Sequence, residues 1–499
     1  MNSASVQTLD LSYSLRRGFG VSWPLLLGLA GFLVPAVCGL GLADGDTYLH
    51  IAAGRWMLAH GAVLTHDVFS FTKLGAPSTA QEWGSDLMIA TTFRIAGWSG
   101  LVLLAAVCFG ATLAYLMRFL LARMEPLHAL VLTLFAGKMM VPSLLARPHV
   151  LVWPLTAVWI GTLVRASEED RSPPWWLFGV LLLWVNMHGS FIIGPCLAAA
   201  LALDAAMAAG QERWSTAKRW APFILGAFAC TLVNPQGYRL VLFPFHLLGQ
   251  KAALAMIAEW LPPNFEEPQI VGVWLAALVT LAFVGRIRLS LVRSIVLVGL
   301  LYTALQHVRN VALLGLISPF LLAGPMATLW QSSPLPGRDA NAIDRVFRAL
   351  ASPARRVTTC TMLLLAGLAA VVALNARQPQ PPDAARPRAA LDAVISRIPQ
   401  GRILNDPAFG DYLIYRGIPD FIDDRVDVYG DAFLSRTTGA LSLSPTSDVE
   451  GLLREFRIDA VVIGSWWPAG RLLDRLPGWE RVYSDKLTVA YVRRGYDHT

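Results

Sequence analysis

The sequence predicts a polytopic α-helical membrane protein with a small C-terminal α/β domain, and three observations predict it. Of 499 residues, 55% are apolar and 15% charged, where a soluble domain carries about 25% charge. The shortage is local: residues 1–360 hold 17 of the 34 acids and 25 of the 41 Lys/Arg, and the last 139 residues hold the rest. Eleven apolar stretches, most of them near the ~20 residues that cross a bilayer core, lie at 21–42, 98–121, 127–146, 149–166, 174–187, 189–209, 219–234, 269–285, 290–306, 309–328 and 357–375. A disordered chain, a coiled coil and a wholly soluble enzyme are excluded. The chain divides into a membrane part (1–376), a linker (377–389) and an outer domain (390–499). The net charge of +7 is scattered among apolar segments, so the bilayer is the expected partner and nucleic acid is not.

The elements follow in order. The first stretch ends in Gly41-Leu42-Ala43, small residues that suit signal-peptide cleavage. It is longer than a signal peptide's apolar core and ten more stretches follow, so it reads as a span. The loop 43–97 is the longest of the membrane part. It is expected to carry two helices in the interface plane, 46–59 and 84–95, joined by extended chain at 66–72 and a turn at Gly75-Ala76-Pro77. The 174–187 stretch is short and meets its successor in a tight turn. The five cysteines lie in or beside apolar runs and read as buried, apolar thiols, with no disulfide or zinc pattern. Beyond the Pro-rich linker, strands are expected at 402–405, 420–423, 460–464, 480–484 and 487–493, and helices at 408–416 and 447–456. No Gly-rich phosphate loop and no prosthetic-group motif is present.

Sidedness follows from Lys and Arg. With the N-terminus beside Arg16 and Arg17 placed in the cytoplasm, alternate loops hold 17 basic residues inside and 7 outside. Eleven spans then put the C-terminal domain outside, in the periplasm of a bacterial inner membrane. The same assignment gathers polar residues on the outer face, seven of the nine histidines among them. Ionisable groups at span ends are unfavourable unless they line a polar cavity, so their convergence predicts one site.

Asp44 and Asp46 open the first outer loop. A carboxylate there can take a proton from a hydroxyl, or the pair can hold a divalent ion such as Mg or Mn. His50 stands one helical turn after Asp46, and Glu82 opens the second helix. N-capping by Asp44 or Asp46 is the competing role. The outer turns carry Arg147-Pro148-His149, Asn186-Met187-His188 and His307-Val308-Arg309-Asn310, which suit a phosphate or lipid headgroups. In the outer domain Asp423, Arg425, Asp427 and Tyr429 lie near a strand end. They suit a sugar acceptor, or else form an internal Asp–Arg network that fixes the loop.

The Asp-x-Asp after the first span, two helices in the next loop and basic outer turns resemble the GT-C superfamily. These integral membrane glycosyltransferases use polyprenyl-phosphate-linked sugars. The stretches carrying the resemblance are Asp46-Thr-Tyr-Leu-His50, Asp67-Val-Phe-Ser70, Glu82-Trp83, Ala146-Arg-Pro148, Asn186-Met-His188-Gly189, Asn234-Pro-Gln-Gly237, Glu259-Trp260, Arg309-Asn310 and Phe421-Ile-Asp423-Asp-Arg425. The resemblance implies a GT-C-like fold. It places Asp44 or Asp46 as base or metal ligand, and Arg147, His188 and Arg309 on the phosphate of the sugar donor; His149 and His307 join the candidate phosphate contacts. It implies a glycosyltransferase acting at the periplasmic face on a glycan, lipid or protein acceptor. The alternatives are a non-catalytic scaffold, or a transporter or flippase component, in a cell-envelope polysaccharide system with other envelope-biosynthesis partners.

Overall fold

The computed structural model describes residues 20–283, 287–331 and 342–495. Arg16, Arg17, Arg286 and Arg338, which enter the sidedness expectation, lie outside the described residues. The protein is mostly helical. Along the membrane part run α1 (Trp23–Cys38), α2 (Asp46–His60), α3 (Trp83–Leu121), α4 (Pro126–Met140), α5 (Trp153–Glu168), α6 (Leu177–Met187), α7 (Ile193–Ala208), α8 (Arg213–Cys230), α9 (Tyr238–Gly249), α10 (Ile270–Phe283), α11 (Leu291–Gln306), α12 (Val311–Gln331) and α13 (Arg356–Arg377). A helix occupies each of the eleven apolar stretches; α2 and α9 are additional.

Five segments are long and apolar enough to cross a membrane: Trp83–Leu121, Pro126–Ser143, Gly189–Ala208, Val308–Thr328 and Arg356–Arg377. α1, α6, α10 and α11 are apolar but shorter. At 11 to 16 residues they rise about 17–24 Å, less than the ~30 Å hydrocarbon core. Among the described residues, five helices are thus full-length crossings by length and composition, where the sequence predicts eleven spans.

Local sequence explains the helix boundaries. Ser22 caps α1 by accepting from the Leu25 amide, and Gly39 ends it in the left-handed region at φ 67°. Gly97, at φ 58° and ψ −150°, breaks α3 between the two helices predicted at 84–95 and 98–121. α1 meets the second half of α3 through glycines: a Cβ on Gly110 would run into the Gly28 carbonyl. Such small-residue seams let helix backbones approach closely in membranes. Asp204, buried in α7, pairs with Arg293 at 2.7 Å, which neutralises the one acid inside that helix. Cys38, Cys196 and Cys360 are exposed on the bundle, not buried as expected. They sit in apolar helices, on faces that the other described residues leave uncovered.

α2 also departs from expectation. Tyr48, His50, Ile51, Ala52, Ala53 and Met57 are all buried, so the helix does not lay one apolar stripe on lipid. It is covered by α3 on one side and by the C-terminal segment on the other. Gly54 makes the first contact possible, since any Cβ there would collide with the Asp86 backbone carbonyl. Tyr48 makes the second, with its ring 5.1 Å from Tyr412 and 5.3 Å from Trp98.

The C-terminal segment holds a small sheet. β1 (Ile403–Asn405) runs parallel to β2 (Ala460–Gly464), and β2 and β3 (Trp479–Ser484) flank β4 (Thr488–Arg493) antiparallel, giving the order β1-β2-β4-β3. Every residue of β2 is buried, as in a strand covered on both faces. Helices α14 (Arg388–Ile395), α15 (Gly410–Tyr415), α16 (Val426–Leu441) and α17 (Val449–Glu455) accompany it. The strand predicted at 420–423 is absent. The Asn405 side chain takes its place in the pairing: its Oδ1 accepts from Phe421 N (2.8 Å) and its Nδ2 donates to Ile422 O (2.6 Å). The outward edge of 420–423 pairs with the first loop, where Phe71 N donates to Asp420 O (3.1 Å) and Thr72 Oγ1 to Phe421 O (2.6 Å). Residues some 350 positions apart are thereby joined.

Candidate active site

The end of the bundle next to this sheet collects the predicted polar residues. Arg147, just before the short helix Pro148–Leu151, is the hub. Its guanidinium lies 3.0 Å from Asp44 and forms ion pairs with Asp46 and Glu259. Asp44 also accepts from the Asp46 amide at 3.3 Å, a local turn at the mouth of α2. The predicted acids and the predicted arginine therefore meet. One guanidinium is thus engaged by three carboxylates, Asp44, Asp46 and Glu259.

A second chain of contacts runs alongside. His50 Nδ1 donates to Asp86 Oδ1 at 2.7 Å, and His50 Nε2 faces Glu82 Oε2 at 3.9 Å. The other Glu82 oxygen lies 3.3 Å from His188 Nε2. His188 Nδ1 accepts from the Ser190 amide at 3.1 Å, which leaves the proton of a neutral ring on Nε2, toward Glu82. Gly84 permits this arrangement, because a Cβ there would strike the Asn186 carbonyl. The His149 ring lies 6.2 Å from the His188 ring, and its Nε2 donates to Ser143 O at 2.7 Å. His307 Nδ1 donates to Trp260 O at 2.6 Å. Two predicted phosphate ligands thus have a ring nitrogen on backbone carbonyls.

Arg309 is different. Its guanidinium stacks over Trp260 at 4.7 Å and forms no ion pair among the described residues. It is close enough to act electrostatically on Glu259, Arg147, Glu82 and Asp46. It is half-buried, a desolvated cation at the rim of an acid-lined pocket.

Burial sets the protonation of these groups. Glu82 is pushed up to about 7 by burial, with His50 pulling the other way. Asp44 is pushed up to about 7 by burial and then by the Asp46 charge, against Arg147. Burial would raise Asp46 too, but Arg147 and His50 outweigh it and hold it below the ordinary value. Burial lowers His188 well below its usual range, helped by His149 and Arg309, so its ring is neutral. The pocket pairs acids of different proton affinity, the arrangement that lets one stay charged while another exchanges a proton.

The C-terminal segment adds two acids that the sequence did not single out as site residues. Asp411 on α15 and Asp424 bring carboxylate oxygens within 4.8 Å of each other and of one from Asp46. Burial and the neighbouring carboxylates push both well above the usual range. Asp424 is open to solvent. Asp86 and Glu259 belong to the polar set that the sequence gathers on the outer face, whereas nothing in the sequence joins Asp411 and Asp424 to Asp46.

The four candidate acceptor residues lie elsewhere. Arg425 binds Asp423 through Nε at 2.9 Å and Asp67 through Nη2 at 2.7 Å. The Tyr429 hydroxyl donates to Asp420 Oδ2 (2.9 Å) and Asp423 Oδ2 (3.1 Å). Asp427 accepts from the Thr79 amide at 3.2 Å. The side chains of Asp67 and Asp423 are fully buried. These groups satisfy one another and fasten the C-terminal segment to the first loop, the network alternative of the sequence reading.

No family model matches the chain, and no curated protein matches it. Solved structures do. The chain is similar to the oligosaccharyltransferase AglB from Archaeoglobus fulgidus, in complex with an inhibitory peptide and a dolichol-phosphate, at 12% identity and a TM-score of 0.45, over 96% of this chain and 75% of that one. It is similar to ArnT from Cupriavidus metallidurans bound to undecaprenyl phosphate, at 10% identity and a TM-score of 0.47, over 94% and 97% of the two chains. The apo ArnT structure from the same organism matches at 13% identity and a TM-score of 0.46, over 93% and 97%. Both proteins have the GT-C fold.

Proposed function

We propose that this protein is a membrane glycosyltransferase that moves a sugar from a polyprenyl-phosphate carrier to a glycan, lipid or protein acceptor. The reaction belongs to the pocket of Asp44, Asp46, Glu82, Arg147 and Arg309, on the periplasmic side of a bacterial inner membrane with the N-terminus in the cytoplasm. The observation that carries the reading is Arg309: a desolvated guanidinium with no carboxylate on it among the described residues, beside acids held by a different arginine. A free planar guanidinium matches phosphate bidentately. As the bond from the anomeric carbon to the phosphate oxygen breaks, charge grows on that phosphate, and a fixed cation there stabilises the transition state more than the ground state. The acceptor proton passes to a carboxylate. Asp44 suits this step, because its raised proton affinity lies near working pH while Asp46 stays ionised on Arg147. His50, anchored on Asp86, and neutral His188 position Glu82 at the pocket wall.

The test is transfer from radiolabelled polyprenyl-phosphate sugars to envelope extracts by the purified protein. Arg309→Ala is expected to lower turnover by about 10²–10³, the loss typical of one charge-stabilising donor, and Asp44→Asn to abolish transfer with folding intact. Transfer undiminished in Arg309→Ala removes the assigned role. Failure with every polyprenyl-linked sugar leaves the scaffold reading.

A further inference from the structure

The residues first expected to hold an acceptor, Asp423, Arg425, Asp427 and Tyr429, are committed to the contact between the C-terminal segment and the first loop. A different part of the same segment carries a groove of about 540 Å³, within the ~300–1,000 Å³ of small-ligand sites. The end of the linker and the start of α14 form one wall, and the turn from β3 to β4 forms the other. Its charged lining is balanced: Arg386, Arg388 and Lys486 stand against Asp383, Asp392 and Asp485. Much of it is fixed in advance. Arg386 Nη2 donates to Asp383 at 2.6 Å, and Asp485 accepts from the Tyr483 hydroxyl (2.7 Å) and from the amides of Leu487 (2.8 Å) and Thr488 (2.6 Å). Side chains already held lose little freedom when a ligand arrives.

Trp466 supplies the independent observation. It is 56% exposed, a large apolar ring left open on a charge-rich part of the chain. Its indole folds back over Gly464, where a Cβ would lie 2.3 Å from it. Gly464 pairs with Thr488 across β2 and β4, and paired residues point to the same face of a sheet, so the indole stands beside Thr488 of the groove wall. Ser465 ties the two together: its amide donates to Leu487 O (3.0 Å) and its hydroxyl to Lys486 O (2.7 Å). The other side of the Trp466 ring leads to the candidate active site. The Phe409 ring lies 6.4 Å from it, and a Cβ on Gly45, between Asp44 and Asp46, would lie 3.7 Å from Ala385 Cβ and 3.9 Å from Ala408 O. Arg386 and Asp383 are close enough to act electrostatically on Tyr48, in the first turn of α2.

We propose that this groove, with Trp466 at its rim, binds a neutral oligosaccharide and guides it, as the acceptor, toward Asp44. The chemistry of the lining selects that class. A sugar presents an apolar C–H face, which an indole covers, and a rim of hydroxyls that both donate and accept. Carboxylates only accept, and guanidinium and ammonium groups only donate, so a mixed set of the two meets hydroxyls of either sense. Equal numbers of cations and acids give no net attraction for a polyanion. The acceptor role rests on the transferase reading; binding itself needs no donor.

The experiment offers the full-length protein in labelled nanodiscs to an array of neutral and acidic bacterial envelope oligosaccharides, with empty nanodiscs as the blank. Wild type is expected to bind neutral oligosaccharides. Trp466→Ala is expected to weaken that binding by ~10-fold or more, as loss of an aromatic anchor does. Trp175→Ala, which removes a tryptophan just before α6 that is 62% exposed, is expected to leave it unchanged. Arg388→Ala, at a side chain 71% exposed, is expected to weaken it too and answers if Trp466→Ala misfolds. Where transfer is measured, Trp466→Ala is expected to raise the acceptor KM and leave kcat near wild type, a split that a merely structural change would not give. Equal binding of neutral glycans by wild type and both groove variants, binding confined to acidic glycans, or no binding at all overturns the groove. Binding without transfer from any polyprenyl-linked sugar overturns the transferase reading and keeps the groove; transfer with an unchanged acceptor KM in Trp466→Ala does the reverse.

Discussion

Arg425 holds two carboxylates, Asp67 of the first loop and Asp423 of the C-terminal segment, whose side chains are 0% exposed while its own is 13% exposed. Arg425→Met keeps the bulk of the stem and removes the charge. It leaves both acids buried without their cation, and breaking a buried ion pair from one side destabilises by about 3–5 kcal/mol. The loss falls on the contact between the C-terminal segment and the loop, because Arg425 is the residue that bridges Asp67 to Asp423. At 1.4 kcal/mol per tenfold, undocking becomes at least ~100-fold more frequent. The assay is limited proteolysis of the linker 378–387 under conditions where cleavage is slow, so that its rate reports the open population. The triple variant Arg425→Met, Asp67→Asn, Asp423→Asn removes the stranded charges and is expected to regain most of the loss. Cleavage of Arg425→Met at the wild-type rate, or no recovery in the triple variant, would refute the reasoning.

Glu82 offers a test by pH. Its carboxyl titrates at about 7 in the folded protein because of burial, against an ordinary value near 4.5, so the folded state binds its proton more tightly. Its contribution is fully present at low pH and is lost as pH rises from about 4.5 through about 7. Glu82→Gln is therefore expected to flatten the decline in stability over that window and to be more stable than wild type above pH 8, by at most about 3 kcal/mol; a variant less stable there contradicts the assignment. Gly54→Ala places a methyl group on the Asp86 carbonyl and is expected to destabilise the α2–α3 contact by about 1–3 kcal/mol, read as a lower unfolding midpoint, whereas an unchanged midpoint would mean that the helices are not so close. His50→Ala leaves Asp86, whose side chain is 7% exposed, without its 2.7 Å partner. A loss of about 1–3 kcal/mol is expected, and His50→Asn, which can still donate, should recover part of it.

Much of this arrangement is legible in the chain. Apolar runs mark the helices, Gly97 marks the break in α3, and the positions of Asp44, Asp46 and Arg147 at the ends of apolar runs announce a shared end of the bundle. Two things are not legible. Arg147 and Arg309 have the same local context, a polar turn after an apolar stretch, and only the fold decides that three carboxylates take one and, among the described residues, none the other. The partners of 420–429 are likewise set by tertiary contact. Phe421 and Ile422 read as a strand by composition, but the Asn405 amide and the first loop capture that edge. Asp411 and Asp424 then arrive at Asp46 from more than 360 residues away, a distance over which periodicity carries no information.

The central claim is that Arg309 offers the pocket an uncommitted guanidinium for a lipid-linked phosphate. Native mass spectrometry of the detergent-solubilised protein with added undecaprenyl phosphate measures it most directly. Wild type is expected to retain one lipid phosphate, and Arg309→Ala to lose it at the same lipid concentration while Arg55→Ala, on the outer face of α2, retains it. Equal retention by wild type and Arg309→Ala would contradict the account.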